Sequence, residues 1–317
     1  MQIIETIATD YRQRAERAEA NLRQVQQQIL RISLLRVVLF VGGIAAAIAL
    51  RHYDWPLWVG ALAATMLPFL ALVKYHNRLF RRKDYLEKEV EINRQELAAL
   101  DLDTSAFDDG AEYIDPAHRY AFDLDVYGPR SLFPCLNRTC TQPGRVRLAA
   151  WLGEHLEDKQ EIEARQAAVR ELSALTDFRQ RFRILGLLYK GKSADEGELQ
   201  AWAVSPTTFR CRPLLRALPF VVGGANALCL GLVLAGLMSA SAWGTLWIAF
   251  ALLSFFFTGK VTRVQSVYGK KLQILGTYAR LLRLMDEQPL QSRLLADIKE
   301  ESGRASHAIL RLNQLMN

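Results

Sequence analysis

The residues that most suggest chemistry are 186–193, which read GLLYKGKS and match a phosphate-loop pattern. Such a loop binds nucleotides only when a buried strand leads into it and a helix N-terminus receives the phosphates. Residues 178–185 have helical rather than strand character, and bulky side chains at 187–189 would crowd the backbone amides. Residues 281–287 resemble the metal-binding strand of a nucleotide site. Arg283 interrupts this match, and the apolar residues around it recur at helical spacing. Both matches are therefore interpreted as chance.

Metal and nucleophile patterns are equally incomplete. Calcium-loop spacing occurs at Asp101, Asp103, Ser105, Asp109 and Glu112, but Ala106 replaces the glycine that this loop requires. The histidines are scattered, and no residues at zinc spacing accompany the cysteines. We expect four reduced thiols, Cys135, Cys140, Cys211 and Cys229. The sequence thus predicts no catalytic residue, cofactor, metal or small-molecule substrate in this chain.

The elements that would position any site are dominated by four apolar runs, at 32–50, 55–75, 214–237 and 242–257. Each approaches the roughly 20 residues that cross a bilayer as a helix. The connections at 51–54 and 238–241 are very short, which predicts two transmembrane hairpins, 32–75 and 213–258. The runs lack central charged residues, which disfavours a transporter, and Asn226 is expected to hydrogen-bond across helices.

Basic residues predict the orientation of these hairpins. Lys and Arg total 40 against 33 Asp and Glu, a net charge of +7. Much of the excess lies at the entry of the first and third runs and the exit of the second and fourth: Arg31, Arg36, Lys74, Arg78, Arg81, Arg82, Lys83, Arg210, Arg212, Arg216, Lys260, Arg263, Lys270 and Lys271. By the positive-inside rule, both termini and the 76–212 segment are cytoplasmic in a multi-pass, bacterial-type inner (cell) membrane protein.

Helical periodicity continues outside the apolar runs. Residues 1–31 form an amphipathic helix whose coiled-coil-like seam is Ile4, Ile7, Tyr11, Ala15, Ala18, Leu22, Val25, Ile29 and Ile32. Residues 76–112 begin with a helix, followed by an acidic loop, and the helix repeats the seam, with Asn93 inside it, at Leu86, Val90, Leu97 and Leu100. A hairpin joins these flanks, so they should pair as an antiparallel stalk. Residues 259–317 are predicted to form lever-like helices, with a third coiled-coil-like apolar seam that continues from the fourth apolar run.

Residues 113–212 predict a helical domain. Thr141 is a plausible N-cap with Pro143 in the first turn, and Leu148, Trp151 and Leu152 share a helical face. Asp158 and Glu161 resemble the start of a second helix, with Ile162, Val169 and Leu172 as its buried stripe. These features predict a helical core and no chemistry.

One set of residues in this domain follows a recognisable order: Ser131, Leu132, Phe133, Thr139, Thr141, Gly144, Leu148, Trp151, Leu152, Arg165 and Val169. This order resembles the start of the helical core in the MutS family of mismatch-repair ATPases. Val146 and His155 depart from the pattern, and a Phe-x-Glu mismatch wedge is absent from the sequence. A membrane hairpin stands where the family's lever helices would extend to a DNA clamp.

Together with the four apolar runs, the resemblance implies an all-α, polytopic membrane protein that carries the core and levers of a MutS-like ATPase. The family's ATPase domain lies C-terminal to the core and is not expected within these 317 residues. ATP, Mg²⁺ and homodimer contacts would belong to that domain, so this chain is not expected to be an enzyme. The expected partners are the lipid bilayer and DNA. The alternative is a membrane scaffold that recruits partners through its coiled-coil helices.

Overall fold

The structure, a computed structural model, describes residues 2–50, 55–188, 213–234, 236–239, 241–245, 247–248 and 274–303. Every regular element in these ranges is a helix, which confirms the all-α prediction. The chain divides into two compact units. The first comprises Met1–Lys190 and Thr277–Arg311, and the second comprises Gly191–Gly276 and Leu312–Asn317.

Two long helices dominate the first unit, α1 at Gln2–Ala49 and α2 at Trp55–Leu100. At 1.5 Å per residue, the 48 residues of α1 extend about 72 Å, so each helix continues from the predicted stalk into the predicted span without a break. The rings of Phe40 and Phe69 lie 6.1 Å apart. Gly43 packs so closely on Thr65 that an added Cβ would lie 2.9 Å from its Oγ1. Pairs nearer the N-terminus of α1 meet residues later in α2, so the helices are antiparallel.

The stalk is held by an apolar cluster of Val25 and Ile29 from α1 with Leu79 and Leu86 from α2. Ala15 and Ala18 continue the buried stripe toward the N-terminus, as the heptad-like seam predicts. The seam is wrong at its beginning, because Ile4 and Ile7 are 55% and 41% exposed. In this antiparallel register, α2 ends at Leu100, before it reaches their level. The predicted third seam lies mainly at 261–272, outside the described residues.

Short helices build the domain that packs on this stalk. They are a 3-10 turn at Ala111–Tyr113, α3 at Leu132–Leu136, α4 at Gln142–Gly153, α5 at Lys159–Ala174 and α6 at Thr176–Leu187. The two predicted N-caps are confirmed. Thr141 Oγ1 accepts a hydrogen bond from the Gly144 amide at 3.2 Å, and Asp158 Oδ1 accepts one from the Gln160 amide at 2.7 Å. These caps satisfy amides that the first helical turn leaves unpaired.

The buried face of α5 differs from the predicted stripe. Val169 is 65% exposed, whereas Ala168 is buried. Ile162 and Leu172, the other two predicted residues, are partly covered, as is Ala164. The prediction is therefore wrong at Val169 alone, where the smaller Ala168 takes the buried position.

The second unit contains α7 at Pro213–Leu234. Gly236 has a φ of 73°, and the amides of Gly236 and Leu237 donate to the carbonyls of Val233 and Leu232, so α7 ends before the predicted position 237. Asn226 Nδ2 donates to the Val222 carbonyl of its own helix at 3.0 Å, which corrects the predicted bond across helices. Helical residues at 241–245 and 247–248 begin the next run, whose remainder to 257 lies outside the described residues.

Within the described ranges, α1 is the one helix with the length and apolar composition to cross a membrane. The mean hydropathy of its most apolar stretch is 2.3, and 6% of that stretch is buried. A long exposed apolar helix of this kind is weak evidence for membrane association.

Candidate functional site at the stalk–core junction

Helix α6 attaches the short-helix domain to the stalk by packing against α2. Gln180 Nε2 donates a 2.7 Å hydrogen bond to Asn93 Oδ1, and both residues are buried. Asn93 Nδ2 in turn donates to the Glu89 carbonyl at 2.7 Å, one helical turn earlier. Asn93 was predicted as a polar position in the α2 seam, and the structure supplies its partner on α6. A buried amide pair of this kind fixes the register of two helices, because any slip leaves both amides unsatisfied.

One turn further along α2, Glu96 binds two arginines of the short-helix domain. Arg183 Nη1 lies 2.5 Å and Arg138 Nε lies 2.7 Å from Glu96 Oε1. Arg183 also donates from Nη2 to Gln95 Oε1 at 2.9 Å. Burial lowers the pKa of Arg183, while the Glu96 carboxylate opposes that shift. Glu96 is therefore the counterion of two partly buried arginines. Its removal would leave their positive charges without a nearby negative charge.

Phe107 forms an aromatic face beneath these arginines. The guanidinium carbon of Arg138 lies 3.7 Å from the ring centroid, and that of Arg183 lies 5.2 Å from it. Phe107 is itself buried. The ring holds both guanidinium planes through cation–π attraction, so the loop after α2 participates in the junction.

The N-terminal part of α1 also contacts α6. Arg14 Nη1 lies 2.5 Å from Asp177 Oδ1, and Arg14 Nε donates to Asp10 at 2.8 Å. The Asp177 side chain is 75% exposed, so this pair contributes little free energy of folding. Its consequence is geometric, because α6 is linked to both stalk helices.

A cavity of about 310 Å³ lies beside the junction. Apolar side chains form most of its wall, including Ile92, Phe178, Phe182 and Met285, while Glu96 and three arginines provide its charged groups. Burial is the main cause that raises the pKa of Tyr11, another lining residue. The cavity thus adjoins the point where α1, α2, α6 and residues 285–295 converge.

Residues after 287 are joined to the short-helix domain by Glu171 of α5. Its carboxylate oxygens accept hydrogen bonds from the amides of Gln291 and Ser292 at 2.6 and 2.7 Å. These amides stand at the beginning of the helical residues 293–303. The hydrogen bonds lower the pKa of Glu171. A carboxylate from one helix therefore supplies the N-terminal cap of another.

The residues of the MutS-like pattern are distributed around a second, aromatic centre. Phe133 is fully buried, with its ring 5.9 Å from Tyr113 and 5.8 Å from Tyr127. Ser131 is the N-cap residue that precedes α3, and Leu132 beside it is half-exposed. Gly110, with a φ of 67°, packs onto Phe133 so tightly that an added Cβ would lie 2.8 Å from the ring.

The rest of the pattern organises α4 and its neighbours. Thr139 Oγ1 donates to Asn137 Oδ1 at 2.6 Å, Thr141 caps α4 through Gly144, and the Leu152 carbonyl accepts a bond from a tyrosine hydroxyl. Leu148 is partly buried. These positions have structural roles, and the pattern brings no reactive group together.

Trp151 and Arg165 link α4 to α5 at the surface. The guanidinium carbon of Arg165 lies 4.2 Å from the Trp151 ring centroid, and Trp151 is 45% exposed. Trp151 therefore takes part in a surface cation–π pair and is not a buried side chain. Val169 lies on the exposed side of the same helix as Arg165, so these two pattern residues do not join the core.

The first residues of the phosphate-loop match, 186–188, are described by the structure and do not form a phosphate loop. Residues 178–187 belong to α6, and no strand precedes them. Gly186 packs against Cys140, because an added Cβ would overlap its Sγ. Lys192 and Ser193 lie outside the described residues.

Most of the acidic side chains of the calcium-loop candidate, residues 101–112, make contacts within the protein. Arg145 forms ion pairs with Asp108 and, at 2.8 Å, with Glu112. Asp103 and Asp109 accept hydrogen bonds from local backbone amides of Ser105 and Ala111. Among the described residues, no group of three or more His, Cys, Asp and Glu side chains is placed to hold a metal ion. The described cysteines, Cys135, Cys140 and Cys229, are free thiols, and Cys211 lies outside those ranges.

The sequence analysis missed the charged part of the junction. Glu96, Arg138 and Arg183 are separated by up to 87 positions, and each alone has the pattern of a solvated helical residue. The one available signal was Asn93, a polar residue at a seam position. Its burial required a partner, but only the fold identifies Gln180.

Comparison with known proteins agrees with this architecture. Residues 97–196 match the family model of MutS domain III, which covers the end of α2 and the helices up to α6. The searches of curated proteins and of solved structures returned no match. MutS domain III is a non-catalytic core domain, consistent with the structural roles of the residues above. About a third of the chain, residues 97–196, is therefore similar to MutS domain III.

Proposed function

We propose that the chain is the membrane anchor, core and lever part of a MutS-like ATPase. The α1–α2 hairpin crosses the bilayer, and the domain III-like core lies beneath it on the cytoplasmic side. Movement of the core would reach the membrane through α2, which belongs to both regions. ATP and Mg²⁺ would act in an ATPase domain associated with this core, through which the protein would also dimerise.

The continuity of α1 and α2 carries this proposal. Both helices run from the Asn93–Gln180 junction through the apolar stalk cluster into segments with exposed apolar side chains. On α1 these are Leu34, Leu35, Val37, Val38, Phe40, Val41, Ile44 and Ile48. In water such a surface would be costly, whereas in hydrocarbon it needs no protein partner. A continuous pair of helices then transmits displacement from the core to the membrane.

Topology can be tested in intact cells with an impermeant maleimide. We would replace all four cysteines by serine and introduce His52→Cys between the two predicted spans. The matched variant retains Cys135 as its single thiol, since that residue is exposed on the core. The proposal expects labelling of the His52→Cys variant in intact cells, and labelling of the variant that retains Cys135 only after permeabilisation. Equal labelling of both before permeabilisation would contradict it.

A charged substitution tests whether lipid covers α1. Val41 is 57% exposed within the apolar stretch, and Ile3 is 77% exposed at the other end of the same helix. Val41→Arg should reduce the carbonate-resistant membrane fraction, because arginine at the centre of a span costs about 2.5–3.5 kcal/mol. Ile3→Arg should leave that fraction unchanged. Equal behaviour of the two variants would favour an anchor other than α1.

DNA binding by the cytoplasmic face is the second part of the proposal. The full chain in detergent should bind duplex DNA with an affinity that falls steeply with salt, because phosphate contacts release counterions. The scaffold alternative expects no such binding. Fluorescence anisotropy with a labelled duplex over a salt series separates the two.

A further inference from the structure

A cationic face lies on α2 where its apolar part ends. Lys74, Arg78, Arg81 and Arg82 follow the spacing i, i+4, i+7 and i+8, so they share one side of the helix, and all four are exposed. None forms an ion pair with a carboxylate in the described part of the chain. Lys83, at the next position, pairs with Glu87 at 3.3 Å. The face is thus a surface of uncompensated positive charge.

Acidic residues are nearly absent from the sequence before this face, although Asp84 and Glu87 follow it. Between Glu19 and Asp84 the chain contains one carboxylate, Asp54, which stands between the two predicted spans. The stalk below is different, because Arg94 pairs with Glu19 at 2.6 Å and Lys88 with Glu91 at 2.5 Å. Unlike these two stalk cations, the four residues of the face have no carboxylate partner in the described part of the chain.

The position along the hairpin matches a bilayer interface. Leu67 and Leu70, on the membrane side of the face, are 68% and 55% exposed, as lipid-facing residues would be. Tyr75 and Phe80, half-exposed among the cations, have the aromatic character of interfacial residues. From Lys74 to Arg82 the face extends about 12 Å along the helix, comparable with a headgroup layer.

Arg36 of α1 adds an anchoring cation at the upper edge. Its guanidinium carbon lies 5.5 Å from the Phe69 ring centroid, and its buried Nε has no hydrogen-bond partner. A guanidinium one turn inside an apolar segment needs an acceptor, and a headgroup phosphate can reach it from the interface.

From this arrangement we propose that Lys74, Arg78, Arg81 and Arg82 form a binding face for the phosphate headgroups of anionic phospholipids. The inference rests on the proposed membrane insertion of the hairpin and adds a lipid preference to it. Each cation near an anionic leaflet strengthens association roughly fivefold, so the four together give strong selection for anionic over zwitterionic lipid. Lipid is favoured over DNA because the face continues directly from the apolar surface and includes interfacial aromatics.

The test uses the full chain reconstituted into phosphatidylcholine vesicles that contain spin-labelled lipid probes. We would compare the relative association constants of phosphatidylglycerol and phosphatidylcholine by electron paramagnetic resonance. The test variant is K74Q/R78Q/R81Q/R82Q, and the matched control, R12Q/R17Q/R23Q/R147Q, removes the same charge from the stalk and core. The wild type and the control should prefer phosphatidylglycerol, and the test variant should lose roughly tenfold or more of that preference.

The other outcomes decide which anionic ligand binds the face. If the protein is carbonate-resistant but shows no preference, or if the test variant keeps it, the lipid inference is overturned while the proposed anchor stands. If the chain is not carbonate-resistant, the proposed function itself fails. Loss of duplex DNA affinity in the test variant with unchanged lipid preference would assign the face to DNA and overturn the inference. Displacement of the labelled lipid by soluble glycerol phosphate would assign it to free phosphate and overturn it as well.

Discussion

Gln180 on α6 donates a buried hydrogen bond of 2.7 Å to Asn93 on α2, 87 residues away in the chain. This is the point where a domain III-like helix is fixed to a helix that extends into the apolar hairpin. Both side chains are buried, so the loss of either one leaves a polar atom of the other poorly satisfied. This buried pair therefore helps to fix the position of the core along the stalk, together with the ion pairs of Glu96 to Arg138 and Arg183.

The first prediction concerns this pair. Gln180→Leu should lower the free energy of unfolding by about 1–3 kcal/mol, because Asn93 Oδ1 loses its partner. Asn93→Leu should have a comparable effect, and the double variant should be more stable than the sum of the single changes predicts. Chemical unfolding of the detergent-solubilised chain, followed by circular dichroism, measures this coupling. Additive single effects would show that the hydrogen bond does not couple α2 to α6.

The second prediction concerns Glu96. Glu96→Gln should destabilise the chain by about 3–5 kcal/mol, because Arg183 and Arg138 would keep their charges in a poorly solvated site. The matched control is Glu19→Gln at the Arg94 pair, where the arginine side chain is 65% exposed and about 0–1 kcal/mol is expected. Denaturant midpoints of the two variants make the comparison. A loss for Glu96→Gln no larger than for the control would show that the junction does not depend on this carboxylate.

The sequence predicted what local chemistry determines. The caps at Thr141 and Asp158, the helical state of residues 178–185 and the pairing of the two flanks of the first hairpin depend on neighbours within a few residues or on a short connection. Each agrees with the structure. The resemblance at 131–152 also lies in a segment that the domain III match includes.

Rotation of helices and long-range charge pairing could not be predicted in this way. Val169 and Ala168 differ by only one position, and the choice between them depends on how α5 packs against its neighbours. The large apolar ring of Trp151 is typical of a core residue. It lies at the surface instead, where Arg165 covers one face of the ring. Glu96 acquires its role only when α6 and the loop at Arg138 approach it.

The third prediction concerns the first glycine of the phosphate-loop pattern. Gly186→Ala should destabilise the chain by about 1–3 kcal/mol, because the new methyl group would overlap Cys140 Sγ and Cβ. Gly42→Ala is the matched control, since nothing lies within 4 Å of its added Cβ, and it should be neutral or slightly stabilising. Thermal unfolding in detergent provides the comparison. Loss of nucleotide affinity with unchanged stability would instead favour a true phosphate loop.

The fourth prediction concerns thiol reactivity. Burial raises the pKa of the Cys140 thiol to about 11, although the charge of Arg183 opposes this shift. At about pH 8 only roughly one thousandth of the thiol would be thiolate, so Cys140 should react slowly with iodoacetamide and accelerate about tenfold per pH unit. A single-cysteine variant that keeps Cys140 is compared with one that keeps the exposed Cys135, which should react at least roughly tenfold faster at this pH. Mass spectrometry of the alkylated protein gives both rates. Equal rates would mean that α6 does not cover Cys140, and the packing of Gly186 against it would then be wrong.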